Sequence, residues 1–562
     1  MPLWVYIVCV MLICACAALW SYERRVRSVF KGIPTLPPLP IIGNIHQVLG
    51  DGRVLFRLLK SVAEICDTNN SPCIAWLGLY PIFITHDPED VKVITNSCVE
   101  KPFLYNFGRV WLGHGLVTAP AAVWKHNIKK LSGTFTSSVV DGYLGVFNAQ
   151  AEKLVAGLKT EVGKEPFDII NKYLAYTTLE AICQTALGVS KISESIVTSE
   201  YYEAFNRCLE LLTARGLNVF LYPDVIYRLT PAHREIKRCV AIIHNVSETV
   251  MKKRKLEREE KKKRNKTKNE NNGEEPRFKA FLDILMELSE LDPSLTEQQI
   301  KSEVDTIIVG GQETVASTIL FTLLMIGCKP GIQNKMYDEM RRIFGDSKRP
   351  VRKEDLSEMK YCEAVIYETL RLYPPVPGVM RYSDRDLQLK SCKIPKGTVC
   401  GISGWGAGRS TRTWGPDAAL YRPERWLSDT PPGNPAGFLA FSYGRRACIG
   451  KKYAMAILKT ILAHCLRELE FVSQADNMQM KIDIALRPIS GHLIQVRQRI
   501  DDKMKNHPNT VLHSGGVDIR GLLLRVPDIH GVVRVLPMCG DRRPVGRHHY
   551  LLTRLLQRDR NC

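Results

Sequence analysis

The chain has 562 residues, 45% apolar and 24% charged, and its 78 lysines and arginines against 58 aspartates and glutamates give a formal charge of +20. That composition excludes a fibrous or wholly disordered protein and fits a large globular body. The basic excess favours anionic partners without choosing among protein, lipid and nucleic acid, and 17 irregularly spaced cysteines point to reduced thiols facing a cytosol rather than to a disulfide framework.

Met1 to Tyr22 carries no charge, and Pro2 to Trp20 is almost wholly apolar. About 20 helical residues span roughly 30 Å, the thickness of bilayer hydrocarbon. The basic stretch Glu23-Arg24-Arg25-Val26-Arg27 follows, and nothing basic precedes the span, which places the body in the cytosol. A cleaved signal peptide is the competing reading, because Ala15-Cys16-Ala17 resembles a cleavage site. The apolar run continues to Trp20, however, so residues 1–22 are read as a transmembrane anchor. Residues 23–45, with Pro34, Pro37, Pro38 and Pro40, read as a basic, stiff hinge.

Residues 46–498 form one body. Val219 to Leu229 is apolar and aromatic, and reads equally as buried core or as a surface loop dipping into a membrane. Residues 252–276 are so densely charged that they read as a solvated loop. No aromatic residue interleaves that run, which argues against nucleic acid. A long helix is expected from Thr296 to Gly327, with Thr296 and Gln299 as a capping box. Its apolar residues line several faces, so it should traverse the interior.

The chemistry concentrates in Phe441-Ser442-Tyr443-Gly444-Arg445-Arg446-Ala447-Cys448-Ile449-Gly450, ahead of a helical pattern through Leu469. Cys448 at the mouth of a helix would gain stabilisation of an anionic sulfur from free N–H groups and the dipole. Gly444 and Gly450 leave room for a flat macrocycle, and Arg446 offers a fork for a carboxylate. An isolated cysteine between glycines would be core, but Phe-x-x-Gly-x-Arg-x-Cys-x-Gly resembles the haem-binding loop of the cytochrome P450 family.

Three further patterns agree with that resemblance. Gly310-Gly311-Gln312-Glu313-Thr314 interrupts the long helix. The family opens an oxygen groove there, with Gly311 at the haem, and uses an acid and an alcohol, here Glu313 and Thr314, to guide protons. Glu368-Thr369-Leu370-Arg371 and the later Arg425 would form a buried structural charge network. Pro374-Pro375-Val376-Pro377 with Arg381 resembles the strand at the haem edge, the arginine meeting a propionate. The wording of KAFLDIL, YETLRLYPPVP and FSYGRRACIGKKYAM resembles the clan of fatty-acid ω-hydroxylases and insect enzymes.

The resemblance implies a mainly α fold with a small β region behind a transmembrane helix, and haem b with Cys448 as axial thiolate and metal ligand. Cofactor contacts would come from Phe441, Gly444, Arg446, Gly450, Trp124, Arg381 and Gly311. It also implies monooxygenation of a small lipophilic substrate at the endoplasmic reticulum membrane. Electrons would arrive from NADPH-cytochrome P450 reductase, with cytochrome b5 as a second donor. Lys129, Lys130, Arg445, Lys451 and Lys452 are candidates for the reductase face. Substrate walls would come from residues 103–117, 217–226, 304–309, 376–380 and 488–490. The alternatives are a non-catalytic haem-binding sensor or decayed copy, and an isomerase or dehydratase of peroxidised lipids, the latter disfavoured by Glu313 and Thr314.

Four departures stand out. Trp124 begins the family's Trp-x-x-x-Arg pattern, yet position 128 is Ile, so Lys125, His126 or Lys129 would have to replace the guanidinium. Gly310 stands where some ω-hydroxylases carry a glutamate esterified to haem, so no such link is expected. The family's His-Arg reads Gly408-Arg409, and residues 499–562 form a basic extension without periodicity, expected to be disordered.

Overall fold

The computed structural model describes residues 3–188, 198–268, 278–428, 433–475 and 478–499. Its principal elements begin with α1 (Leu3–Val29), β1 (Cys73–Leu77), β2 (Tyr80–Thr85), α2 (Pro88–Ser97), α3 (Ala121–Leu131), α4 (Ala175–Leu187), α5 (Ser199–Leu217) and α6 (Pro231–Lys268). Then come α7 (Glu297–Gly327), α8 (Lys360–Leu372), β3 (Gly378–Tyr382), β4 (Val399–Ser403), α9 (Lys451–Glu468), β5 (Leu469–Ser473), β6 (Gln479–Asp483), β7 (Ala485–Ser490) and β8 (Ile494–Gln498). The body is mainly helical with small β regions, as expected.

Helix α7 is the axis of the core: Val304, Ile308, Ala316, Ile319, Leu320, Leu323 and Leu324 are all buried along it. At 1.5 Å per residue it is about 46 Å long. The Thr296 hydroxyl caps it by accepting from Gln299 N (3.2 Å). The reciprocal half of the expected box is absent, because the Gln299 amide donates instead to His114 O (3.0 Å) and Glu303 Oε1 (2.9 Å).

The largest sheet has the order β1-β2-β4-β3. β2 runs parallel to β4, with Ile84 opposite Gly401, and β3 runs antiparallel to β4, with Arg381 opposite Cys400. Its free edge is tied down when Tyr382 N donates to Glu100 O (2.9 Å), bringing the chain after α2 against β3. Smaller antiparallel pairs are β5–β8 and β6–β7.

Two expectations need correction, and one open alternative is resolved. Residues 23–45 are no free hinge: α1 runs on to Val29, Glu23 is buried against Arg27 (3.0 Å), and Ile74 N donates to Pro34 O (2.9 Å). The charged run is helical as far as Lys268, because its charges find partners: Arg254 pairs with Asp283 (2.7 Å), and Arg258 with Glu287 and Glu290 (3.3 Å each). The rest of that run, 269–276, lies outside the described residues, as do residues 500–562 of the extension. Val219 to Leu229 turns outward, with Phe220 67%, Val225 74% and Leu229 81% exposed and Tyr227 buried.

Candidate active site

The segment before α9 folds back on itself: Cys448 N donates to Phe441 O (2.8 Å), and Ser442 takes a left-handed φ of 59°. Cys448 is exposed, although protein lies closely enough around it for burial to dominate its acidity. Burial pushes the thiol up, while the Gly450 N–H and the Lys451 charge pull the other way without prevailing. A side chain at Gly450 would lie 3.9 Å from the sulfur. Gly444 serves a different purpose from the one expected: its φ is +73° and a Cβ there would strike Thr95 of α2 at 2.6–2.8 Å. It seats the loop on α2 rather than making space for a macrocycle. Phe441 packs on Phe438 and under the Lys451 ammonium at 5.5 Å.

Within the buried length of α7, Gly310 is exposed and Ile307, Gly311 and Thr314 are half-exposed, a helical spacing that puts one strip of the helix against open space. The two glycines divide the labour. A Cβ on Gly310 would meet nothing within 4 Å, whereas one on Gly311 would collide with Ile182 of α4 at 2.7 Å. Gly311 is thus a packing notch against α4. The structure does not join Glu313 to Thr314. Thr314 Oγ1 donates to Gly310 O (2.6 Å) on its own helix. Both Glu313 oxygens accept from Arg487 of β7, from Nε at 2.7 Å and Nη2 at 2.6 Å. Arg487 also donates to Asn206 Oδ1 of α5 (3.2 Å), so one guanidinium joins three elements.

Trp124 is buried on α3 with the Arg446 guanidinium 4.8 Å above its ring. Arg446 donates to Leu116 O (3.1 Å) and Ala119 O (2.8 Å), and Arg381 to Ser442 Oγ (3.4 Å). Both arginines are buried, and the Nε of each is without a partner. Burial, with each other's charge added at Arg446, pushes Arg381 down and Arg446 down to about 10. Two desolvated guanidiniums with spare donors suit an anion. The candidates to replace the missing arginine at position 128 do not reach this place: Lys125, His126 and Lys129 are exposed, and His126 bonds Ser294 (2.8 Å).

Glu368, Arg371 and Arg425 form the expected buried network. Arg371 grips Glu368 through two bonds of 2.8 Å, and Arg425 Nε (3.0 Å), Trp426 Nε1 (3.0 Å) and Arg422 N (2.7 Å) complete its oxygens. Arg371 also donates to Gly408 O and to Ala418 O (2.6 Å), and a Cβ on Gly408 would sit 1.9 Å from Arg371 O. The small residue in place of the family's histidine is thus dictated by contact. Of the five candidate docking cations, Lys129, Arg445, Lys451 and Lys452 are exposed, but Lys130 is held by Asp292 (2.6 Å).

Sequence reasoning missed Arg487, the buried Glu303, which burial pushes up to about 6, and Asp305, pushed up to about 7. None of these stands in a pattern that spacing alone would flag.

A cysteine loop of this form, seated at the mouth of α9 within a helical body traversed by α7, defines a haem-thiolate protein. The family model for cytochrome P450 matches residues 33–496, and the chain belongs to that family, a monooxygenase with a haem iron held by cysteine thiolate. It is similar to cytochrome P450 4c21 of Blattella germanica, at 32% identity over 83% of this chain and 93% of that protein. It is also similar to cytochrome P450 4V2 of Mus musculus (32%; 86% and 92%) and to cytochrome P450 4c3 of Drosophila melanogaster (30%; 85% and 92%).

Proposed function

We propose that the chain inserts one oxygen atom of dioxygen into a small lipophilic substrate and reduces the other to water. Haem b is held by the Cys448 thiolate, and electrons come from NADPH through a membrane-bound flavoprotein reductase, with cytochrome b5 as a second donor. The anchor is α1, and the body faces the cytosol at the endoplasmic reticulum membrane. The observation carrying this reading is Cys448 itself, exposed in a loop that folds back on Phe441 at the mouth of α9. When bound, the haem supplies the iron at which dioxygen is activated, the thiolate favouring O–O cleavage.

The residues present fit that group. Arg381 and Arg446 have free buried donors for its propionates, Trp124 backs Arg446, and Gly310 leaves α7 open where a ligand would lie. Glu313 and Thr314 are the proton-handling pair in this reading. Thr314 must give up its bond to Gly310 O, and Glu313 its hold on Arg487, before a proton can pass between them through water. Ile307 lies in the strip and Ile308 is buried beside it, so the strip's upstream end is apolar. The exposed apolar α1 and the outward ridge at 219–229 support a membrane-bound body.

Reduced holoprotein with carbon monoxide should show the long-wavelength Soret band of a thiolate ligand, and Cys448→Ala should abolish it; a holoprotein without that band refutes the proposal. Reconstitution with reductase should give oxygen-dependent NADPH consumption coupled to an oxidised product. The Glu313–Arg487 pair favours one second reading, a haem sensor without turnover, and NADPH consumption without product from any lipophilic panel would decide for it.

A further inference from the structure

A third cation stands beside Arg381 and Arg446. Lys101 lies between α2 and α3, in a segment fixed by its neighbour. The Glu100 carbonyl accepts from Tyr382 N (2.9 Å), and its carboxylate accepts from Ala121 N (2.8 Å) at the start of α3 and from Lys101 N (3.3 Å). The Lys101 ammonium rests over the Tyr105 ring at 4.2 Å, and the Tyr105 hydroxyl accepts from Met380 N (3.3 Å), next to Arg381. Among the described residues, none of these three cations forms an ion pair, and Glu100, the nearby carboxylate, is spent on backbone N–H groups. Burial, then the charges of Arg381 and Arg446, holds the Lys101 ammonium well below its ordinary range. Arg381 and Arg446 are buried and Lys101 is half-buried, and like charges gathered this closely with no ion-paired partner are costly unless an anion is to be seated among them.

We infer that Lys101 supplies the cation that α3 lacks at Ile128, so that Lys101, Arg381 and Arg446 together hold a pair of carboxylates, the haem propionates. The inference rests on the reading of Cys448 as the haem site. The two carboxylates have the charge to match, and the Lys101 point charge can pair with either oxygen without the planar geometry a guanidinium demands. The replacement has moved the contact from a helix to the head of the segment 103–117, one wall of the proposed substrate space. Phe103 and Phe107 of that segment meet Tyr222 at 5.6 Å and 5.3 Å, which ties cofactor retention to the order of two walls.

The test is the rate at which ferric holoprotein surrenders haem to excess apomyoglobin. Lys101→Gln should release haem about tenfold faster than wild type, the equivalent of one charge-assisted contact. Ile128→Arg in that background should restore the rate to within about twofold, and Lys125→Gln should not change it. Far-UV circular dichroism confirms that each variant is folded, and Lys101→Arg, which keeps the charge, covers the case in which the glutamine variant does not fold. Release from Lys101→Gln at the wild-type rate overturns the inference. Fast release that Ile128→Arg leaves unchanged overturns it too, because Lys101 would then be acting through the packing of Tyr105. The carbon monoxide band of each holoprotein is recorded alongside; its absence from wild type is failure of the haem-thiolate reading, whereas its presence with unchanged release is failure of the lysine alone.

Discussion

The pairing of Glu313 with Arg487 makes a quantitative prediction. Each partner has two charge-assisted bonds to lose, and each is replaced by a neutral amide, isosteric in Glu313→Gln and shorter in Arg487→Gln, singly and together. The side chains are 8% and 20% exposed respectively, so the carboxylate is the more deeply buried charge. Removing Arg487 strands that carboxylate and should cost about 3 kcal/mol; removing Glu313 strands a guanidinium that keeps Asn206 and some water, for about 2 kcal/mol. The double variant leaves no uncompensated charge and should cost about 3 kcal/mol, so the coupling is about 2 kcal/mol. Urea unfolding of the holoprotein, followed in parallel by Soret absorbance and far-UV circular dichroism, measures all four corners of the cycle. Additive single costs, or a glutamate variant weaker than the arginine variant, would refute the reasoning.

The remaining predictions use the same unfolding assay or haem content. The Asp305 carboxyl is buried with His244 Nε2 3.4 Å from one oxygen, and burial outweighs the opposing pull of Ser247 and Lys301 and pushes it up to about 7. The folded state therefore holds a proton that the unfolded chain releases near pH 4, and stability falls as pH rises from there to about 7. Asp305→Asn should be more stable than wild type by up to about 4 kcal/mol at pH 8 and indistinguishable at pH 4; an equal difference at both pH values contradicts the assignment. Gly310→Ala should be neutral or stabilising by up to about 1 kcal/mol, whereas Gly311→Ala should cost about 1–3 kcal/mol through its collision with Ile182, and urea midpoints in the reverse order would be decisive against this division. Gly444→Ala meets both a left-handed φ and Thr95, and should lower haem content per protein, read from the pyridine haemochrome. Glu368→Gln leaves two buried guanidiniums facing a neutral amide and should cost about 3–5 kcal/mol; a cost below 1 kcal/mol would show that the network is not structural.

The long helix, the cysteine loop and the Glu368 network were legible because each is written locally: a cap, an apolar pattern on several faces, a run of ten residues, a spacing of three. What could not be read is what depends on chain-distant neighbours. Gly444 and Gly311 look like space for a ligand until Thr95 and Ile182 arrive from α2 and α4. Arg487 is one arginine in an ordinary strand, and its partner lies 174 residues earlier. Lys101 precedes a proline in a stretch that announces nothing, and only the antiparallel seat of β3 brings it near Arg381. The charged run after Lys252 was read as a loop from composition, but composition does not say that Asp283, Glu287 and Glu290 lie within reach of its arginines.

The unbroken course of α1 into the body has a mechanical consequence. Its 27 residues make a rod of about 40 Å, roughly 10 Å more than the oily layer can cover. The surplus end is not slack: Glu23 is clasped by Arg27 and reached by Ile41 N (3.3 Å), and Arg27 lies 5.0 Å over the Trp76 ring at the sheet. Such a rod is a stiff handle rather than a tether. Where α1 spans a lipid layer whose thickness changes its lean, the body it runs into must lean with it, and the angle at which that body stands on the membrane becomes a property of the surrounding lipid.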